Sequence, residues 1–291
     1  MLLQFIVNGI VAGSVYSIVA LGFALIYNTT KVFHIAHGAV YTVAAYIFYA
    51  CYRLLGLPPA ISVFCGLSFA ILLGILMEVL VYRPLYKRKA LSGIALVSSI
   101  GMYIFIVNLI AMIFGNETKI LSPGIEKTYQ FGTVILTRIQ ILEVIVFVLI
   151  LAFYLLLLRT TRFGKLVRAL ADNPTLLATF GVEASRLRIG IFALGSLFAG
   201  ISSCLVARDV GMDPHVGMSV LLISAVAMIV GGIGVFESAV IGGFTIGILQ
   251  NLAVWKISAR WQDAITFLLL ILFLLLRPQG LLGKKRRVEE V

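Results

Sequence analysis

The sequence predicts an all-α polytopic membrane protein with about nine membrane segments, within a range of eight to ten. Three observations carry that expectation. Hydrophobic residues make up 61% of the 291-residue chain and charged residues only 12%, with a mean hydropathy of +1.10, whereas soluble domains run near 45–50% apolar and roughly 25% charged. Apolar runs of about 20 residues recur, the length that spans a bilayer core. Of 23 Lys and Arg residues, 16 fall at Lys31 or in the short segments 82–92, 159–188 and 277–291. That clustering in loops is the positive-inside signature, so the net charge of +11 implies a membrane orientation and excludes nucleic acid as a partner.

Taken in order, the first segment (about 2–27) has no basic stretch ahead of it and is too long for a signal-peptide core, so it is expected to stay as a membrane helix. The second (34–52) carries His34 and His37, three residues apart and so on one helical face. No Cys, Asp or Glu accompanies them at ligand spacing, which points to neutral hydrogen bonding and no metal. The third (59–81) ends near Glu78, about one turn before Arg83 and Lys87, where it is expected to snorkel outward and pair with them. The fourth covers 93–114. The loop 115–139 that follows carries β-branched residues and a turn signal at Ser122-Pro123-Gly124, which predict a small hairpin or a surface helix. The fifth lies at 140–158, and four more follow at 189–207, 218–233, 237–255 and 262–276.

Parity supports this count. Two segments separate 82–92 from 159–188, and four separate the latter from Lys284, Lys285, Arg286 and Arg287. All three basic regions then share the cytoplasmic side, with the C-terminus there and the N-terminus outside. Segment five divides a single domain, 1–291, into halves of about 1–139 and 189–277 that run in opposite senses. HGAVYTVAAY (37–46) and VGMSVLLISAVAMIVGG (216–232) echo one another at matching places in the halves. This is the arithmetic of an inverted repeat, an architecture in which transport paths lie at the repeat interface.

The island 159–188 is polar and basic between two membrane segments, and inside it a short helix has both ends written into the sequence. Asp172 or Asn173 can act as N-cap, Pro174 suits the first helical position, and Gly181 suits the left-handed position after the last turn. Leu176, Leu177 and Phe180 are expected to share one face, giving a capped apolar helix suited to another protein's groove.

Polar uncharged residues in the apolar segments are Asn8, Ser14, Ser17, Asn28, Ser98, Ser99, Asn108, Gln250 and Asn251. Each needs a partner between helices or in a wet cavity. Asn8, Ser14, His37, Gly38, Asn108, Gly231, Gly232 and Gly234 form the candidate pathway-and-turn set. The Gly-rich stretch 231–238 is expected to be a tight reversal, and Gly243 and Gly247 a ridge for close helix approach. No G-x-x-x-x-G-K-[ST] frame occurs, and neither His-Glu-x-x-His nor Gly-x-Ser-x-Gly is present. Cys51, Cys65 and Cys204 lie in or beside apolar segments and are expected to act as small buried hydrophobes.

Three stretches carry a family resemblance. GKLVRALADNPTLLATFGV (164–182) is similar to the cytoplasmic loop of permease subunits of branched-chain amino-acid ABC importers, through Gly164, Arg168, Ala169, Asp172, Pro174, Ala178, Gly181 and Val182. FHIAHGAVYTVAAY (33–46) and GGIGVFESAVIGG (231–243) resemble two further family segments. Phe33-His34 stands where the family usually has Asn-Phe, and Glu237-Ser238 where it often has Pro-Gly. The resemblance implies a homologous second permease, two cytosolic ATPases that use ATP and Mg, and a periplasmic amino-acid-binding protein, all at a bacterial inner membrane. It implies alternating access for leucine, isoleucine and valine, with no cofactor bound by this chain and no catalytic or metal site. It also implies an ATPase-coupling role for Arg168, Asp172, Asn173, Pro174, Leu176, Leu177, Phe180 and Gly181. An ion-coupled secondary transporter of small amino acids is the alternative, though acids are scarce in the segments, and an intramembrane enzyme ranks third.

Overall fold

The computed structural model describes residues 1–88, 90–121, 127–256 and 258–283. Among them the chain is helical apart from one small hairpin. The long elements are α1 (Leu2–Thr30), α2 (His37–Tyr49), α3 (Pro59–Met77), the short α4 (Arg83–Lys87) and α5 (Ser92–Phe114). Strands β1 (Thr128–Phe131) and β2 (Val134–Thr137) lead into α6 (Arg138–Thr160). Then come α7 (Arg162–Asp172), α8 (Pro174–Thr179), α9 (Ala184–Asp209), α10 (Val216–Gly231), α11 (Ser238–Val254) and α12 (Gln262–Leu276).

Every expected apolar segment is helical, and six helical stretches are long and apolar enough to cross a bilayer: Leu2–Thr30, Pro59–Lys87, Ser92–Phe114, Arg138–Thr160, Ala184–Asp209 and Ala259–Leu276. Val216–Gly231 and Ser238–Val254 are apolar but shorter. Helix α2 begins three residues later than expected and is extended by a π-helical turn, Ala50–Leu54. His34 therefore lies in the turn before α2 and shares no helical face with His37; their ring centroids lie 5.6 Å apart.

Helix α1 is apolar all round and buried along most of its length, the pattern of a central helix. It packs on α9, α10 and α11. The α1–α11 seam is close because Gly9 and Gly13 face Gly247 and Gly243. A Cβ on Gly247 would lie 2.5 Å from the Gly13 nitrogen, and one on Gly243 would lie 2.4 Å from Ser17 Oγ. Ser17 Oγ also donates to the Val240 carbonyl at 3.2 Å. The expected Gly243–Gly247 ridge is thus matched by a second small-residue ridge on α1.

The loop 115–139 contains the hairpin form of its two expectations. Phe131 pairs with Val134, leaving the two-residue turn Gly132-Thr133, with Gly132 at φ 63°. Ser122-Pro123-Gly124 lies outside the described residues. Thr137 and Gln140 then form a capping box that starts α6.

Specific bonds decide which loops share a side. Gln4 exchanges side-chain bonds of 2.9 Å with the Ile135 backbone, so the start of α1 sits at the hairpin. The Tyr86 hydroxyl donates to the Thr30 carbonyl at the other end of α1. Arg83 pairs with Glu183 at 3.8 Å, and Arg159 with Glu237 at 3.4 Å. The basic segment after α3, the island and the 231–238 reversal therefore lie together, opposite the hairpin. Leu281 and Leu282 join them through bonds to the Val230 and Gly231 carbonyls. Lys89, Lys284, Lys285, Arg286 and Arg287 lie outside the described residues.

Candidate functional site

The island folds as two helices. Thr161 Oγ1 accepts the Gly164 N–H at 3.0 Å and starts α7 as the chain leaves α6. Along α7, Gly164, Val167 and Leu170 turn inward at helical spacing, while Lys165 and Arg168 face out. Of the two candidate caps, Asn173 is the one that acts: its Oδ1 accepts the Leu176 N–H at 2.9 Å, with Pro174 in the first helical position. After Thr179 the chain closes with Gly181 N–H bonding the Ala178 carbonyl at 3.0 Å and Gly181 at φ 74°, which favours glycine.

The apolar face of α8 differs from the expected one. Leu177 is 5% exposed and joins the main core, whereas Leu176 is 55% and Phe180 77% exposed. In an α-helix, residues four apart point the same way and a neighbouring residue is turned by about 100°. Leu177 thus pins α8 to the protein while Leu176 and Phe180 are presented outward. Asp172 and Arg168 are also exposed, with no ion pair between them.

At the C-terminal end of α7 an open recess of about 730 Å³ is bounded by Asn28, Lys31, Arg168, Asp172, Gly234 and Glu237. The reversal that forms one wall is held by Ser238 Oγ, which donates to the Gly232 carbonyl at 2.7 Å and to that of Val235 at 2.8 Å. Gly232 and Gly234 take φ of 126° and 94°. Gly231 packs directly against the Ser238 backbone. Asn28 Oδ1 accepts the Gly234 N–H at 3.1 Å, tying the reversal to the end of α1.

At the island's exit Glu183 receives the Ser185 hydroxyl at 2.6 Å and pairs with Arg186 at 2.7 Å. The Ser185 bond first, then Arg186 and Arg83, hold its carboxyl below the ordinary carboxylate range. Glu78 departs from expectation. It does not snorkel toward Arg83 or Lys87; it is 0% exposed, and its Oε1 lies 3.1 Å from Arg188 Nε. A second π-helical turn, Glu78–Tyr82, is the physical reason, since the widened turn carries Glu78 and Tyr82 inward. Arg83, one turn on, goes to Glu183 instead.

The other pathway candidates are scattered. Asn8 accepts from Gln4 at 2.9 Å, Ser14 donates to its own helix at Ile10, and Asn108 is exposed and does the same at Ile104. His37 is fully buried beside the Val19 backbone, with its ring centroid 6.1 Å from that of Phe23. Gly38 meets Gly217, so the first turns of α2 and α10 touch. Sequence reasoning missed the network in which Tyr82 Oη stands 2.7 Å from His34 Nδ1 and donates to Ser99 Oγ at 2.8 Å, while Ser99 accepts the Ala36 N–H. Ser99 is one of the polar residues in an apolar run, but nothing in the local sequence points to its partners. Cys204 is buried, whereas Cys51 and Cys65 are only partly so.

A bundle of apolar helices, six of its helical stretches long and apolar enough to cross a bilayer, defines a class: a multi-pass membrane protein. Comparison narrows the class. The chain matches the family model described as branched-chain amino acid transport system / permease component over residues 5–274, and it belongs to that family. It is 30% identical to the high-affinity branched-chain amino acid transport system permease protein LivH of Escherichia coli K12, over 99% of this chain and 97% of that one. It is 29% identical to the corresponding permease protein BraD of Pseudomonas aeruginosa, over 99% and 98%. Among solved structures it is similar in fold to PsaBC from Streptococcus pneumoniae, in complex with Fab, with a TM-score of 0.52 and 14% identity over 95% of this chain and 93% of that one.

Proposed function

We propose that this chain is the membrane subunit of an ATP-driven importer that moves leucine, isoleucine and valine into the cytoplasm by alternating access. The observation that carries the reading is α8, capped at both ends and pinned by Leu177, with Leu176 and Phe180 exposed at 55% and 77%. An exposed apolar pair on an ordered helix within a basic loop suits a groove in a cytosolic ATPase. No nucleotide-binding frame occurs in the 291 residues, so ATP and Mg belong to partner subunits in this account. The partner set is a homologous second permease, two ATPases and a periplasmic amino-acid-binding protein. The branched-chain substrates rest on the family and on the relatives' names.

Nine crossings are proposed, with α2, α10 and α11 added to the six long spans. Packing supports an inverted repeat in which α1, α2, α3 and α5 correspond to α9, α10, α11 and α12. Helix α1 packs on α11 as α9 packs on α3, α1 on α10 as α9 on α2, and α10 on α12 as α2 on α5. The self-related pairs α1–α9 and α2–α10 also touch. The positive-inside rule assigns the island's side to the cytoplasm and the N-terminus to the periplasm.

One observation favours the ion-coupled alternative: Glu143 on α6 is 2% exposed, close enough to Asp209 to feel its charge. Buried membrane carboxyls can serve ions. The test is co-purification. Leu176→Asp with Phe180→Asp should abolish ATPase recruitment while the chain still inserts into membranes; retention of the ATPase by that variant would remove the docking helix from the account.

A further inference from the structure

We propose that the Arg188–Glu78 pair is the link through which movement of the coupling loop reaches the membrane helices, with Arg188 and Glu78 as positioning residues. The proposal rests on the reading that α8 docks an ATPase, and it names the route from that dock into the bundle.

The geometry supplies each step of the route. Only the short stretch 180–183 separates α8 from α9, and Arg188 lies in the second turn of α9. Its Nε stands 3.1 Å from Glu78 Oε1, and its Cζ lies 3.9 Å from the centre of the Tyr86 ring. Glu78 opens the π-helical turn Glu78–Tyr82 and Tyr86 lies one helical turn beyond it, so one guanidinium spans the irregular turn from its start to the helix that follows. From there contacts diverge into the membrane core. Tyr86 Oη bonds the Thr30 carbonyl at the end of α1. Tyr82 joins His34 and Ser99, and Ser99 holds the Ala36 N–H just before α2. A displacement of the base of α9 thus reaches the π-helical turn that follows α3 and, through it, α1, α2 and α5.

The chemistry suits a link. Glu78 is 0% exposed and the Arg188 side chain 15%, and a carboxylate so buried is held only by its partner. A buried pair of this kind is poor evidence of stability, because well-packed apolar residues commonly replace it without loss. It does fix which surfaces stay together, since separating the two would leave each charge unpaired. Arginine also adds the planar stacking on Tyr86 that lysine lacks. Ion pairs of the Glu183 carboxyl with Arg83 and Arg186 brace the same junction at the surface.

The test uses the full transporter in proteoliposomes and reads ATP hydrolysed per amino acid imported. A merely structural pair would lower hydrolysis and import in parallel and leave that ratio unchanged. Glu78→Gln with Arg188→Met removes both charges at similar volume. The variant is expected to keep its ATPase and to hydrolyse ATP within about twofold of the parent, while the ratio rises at least fivefold. Arg188→Lys, which keeps the charge without the fork or the stacking, is expected to raise the ratio by a smaller factor, and it carries the test by itself if the double variant fails to fold. An unchanged ratio in either recovered variant overturns the proposal. Loss of ATPase binding belongs to the α8 surface and is read separately from Leu176→Asp with Phe180→Asp.

Discussion

At the scale of single residues, charge and capping dominate. Replacing Glu78 alone by Leu strands Arg188 in the bundle and is expected to cost about 3–5 kcal/mol, read as a lowered unfolding temperature in detergent. Replacing Asn173 by Ala removes the bond to the Leu176 N–H and is expected to cost α8 about 1 kcal/mol, seen as faster amide exchange confined to 174–180. Glu183 supplies a pH dependence. Its carboxyl titrates below the ordinary 4.5, so its pairing stabilises the fold fully above that value and is lost as pH falls through the lowered one. The junction at 181–188 is expected to hold from neutral pH to about 5 and to loosen only in stronger acid, measurable by amide exchange across that range. Capping was legible in the sequence because caps are local: Asn173, Pro174 and Gly181 sit where their chemistry demands. The partner of Glu78 was not. Arg188 lies more than a hundred residues away, and the π-turn that aims Glu78 inward leaves no mark on apolar periodicity.

At the scale of elements, the expected segments became helices because long apolar runs in a bilayer have no other way to satisfy their backbones. The hairpin at 128–137 was one of two forms open to its loop, and the glycine at Gly132 suits its two-residue turn. The face of α8 was harder to anticipate, since a six-residue helix is too short for periodicity to separate Leu176 from Leu177. Structure divides their roles, and the division is testable. Leu177→Ala should destabilise the fold by about 2–5 kcal/mol, whereas Phe180→Ala should leave unfolding unchanged and weaken ATPase affinity roughly 30-fold, the scale of an interface anchor. The α1–α11 seam makes a parallel case. A side chain at Gly247 would overlap the Gly13 backbone, so Gly247→Val is expected to cost about 1–3 kcal/mol through overpacking, visible as a lower unfolding temperature.

At the scale of the whole molecule, the inverted repeat proposed around α1 and α9 would give two halves able to rock against each other, with α8 as the proposed place to drive them. The small-residue contacts Gly13–Gly247 and Gly38–Gly217 lie between the halves, so movement of one half against the other must pass along these close seams. Substrate choice was never legible in the residues, because an apolar path with scattered hydroxyls and amides suits many small solutes; it comes from the family. On the proposed function, this chain is expected to transport only when an ATPase drives it. The most direct test is leucine uptake into proteoliposomes holding the permease pair with and without the ATPases, under ATP or under an imposed proton or sodium gradient, with the binding protein outside and ATP enclosed. Uptake is expected only with ATPases and ATP together and should be indifferent to either gradient. Gradient-driven uptake by the permeases without ATPases would contradict the account.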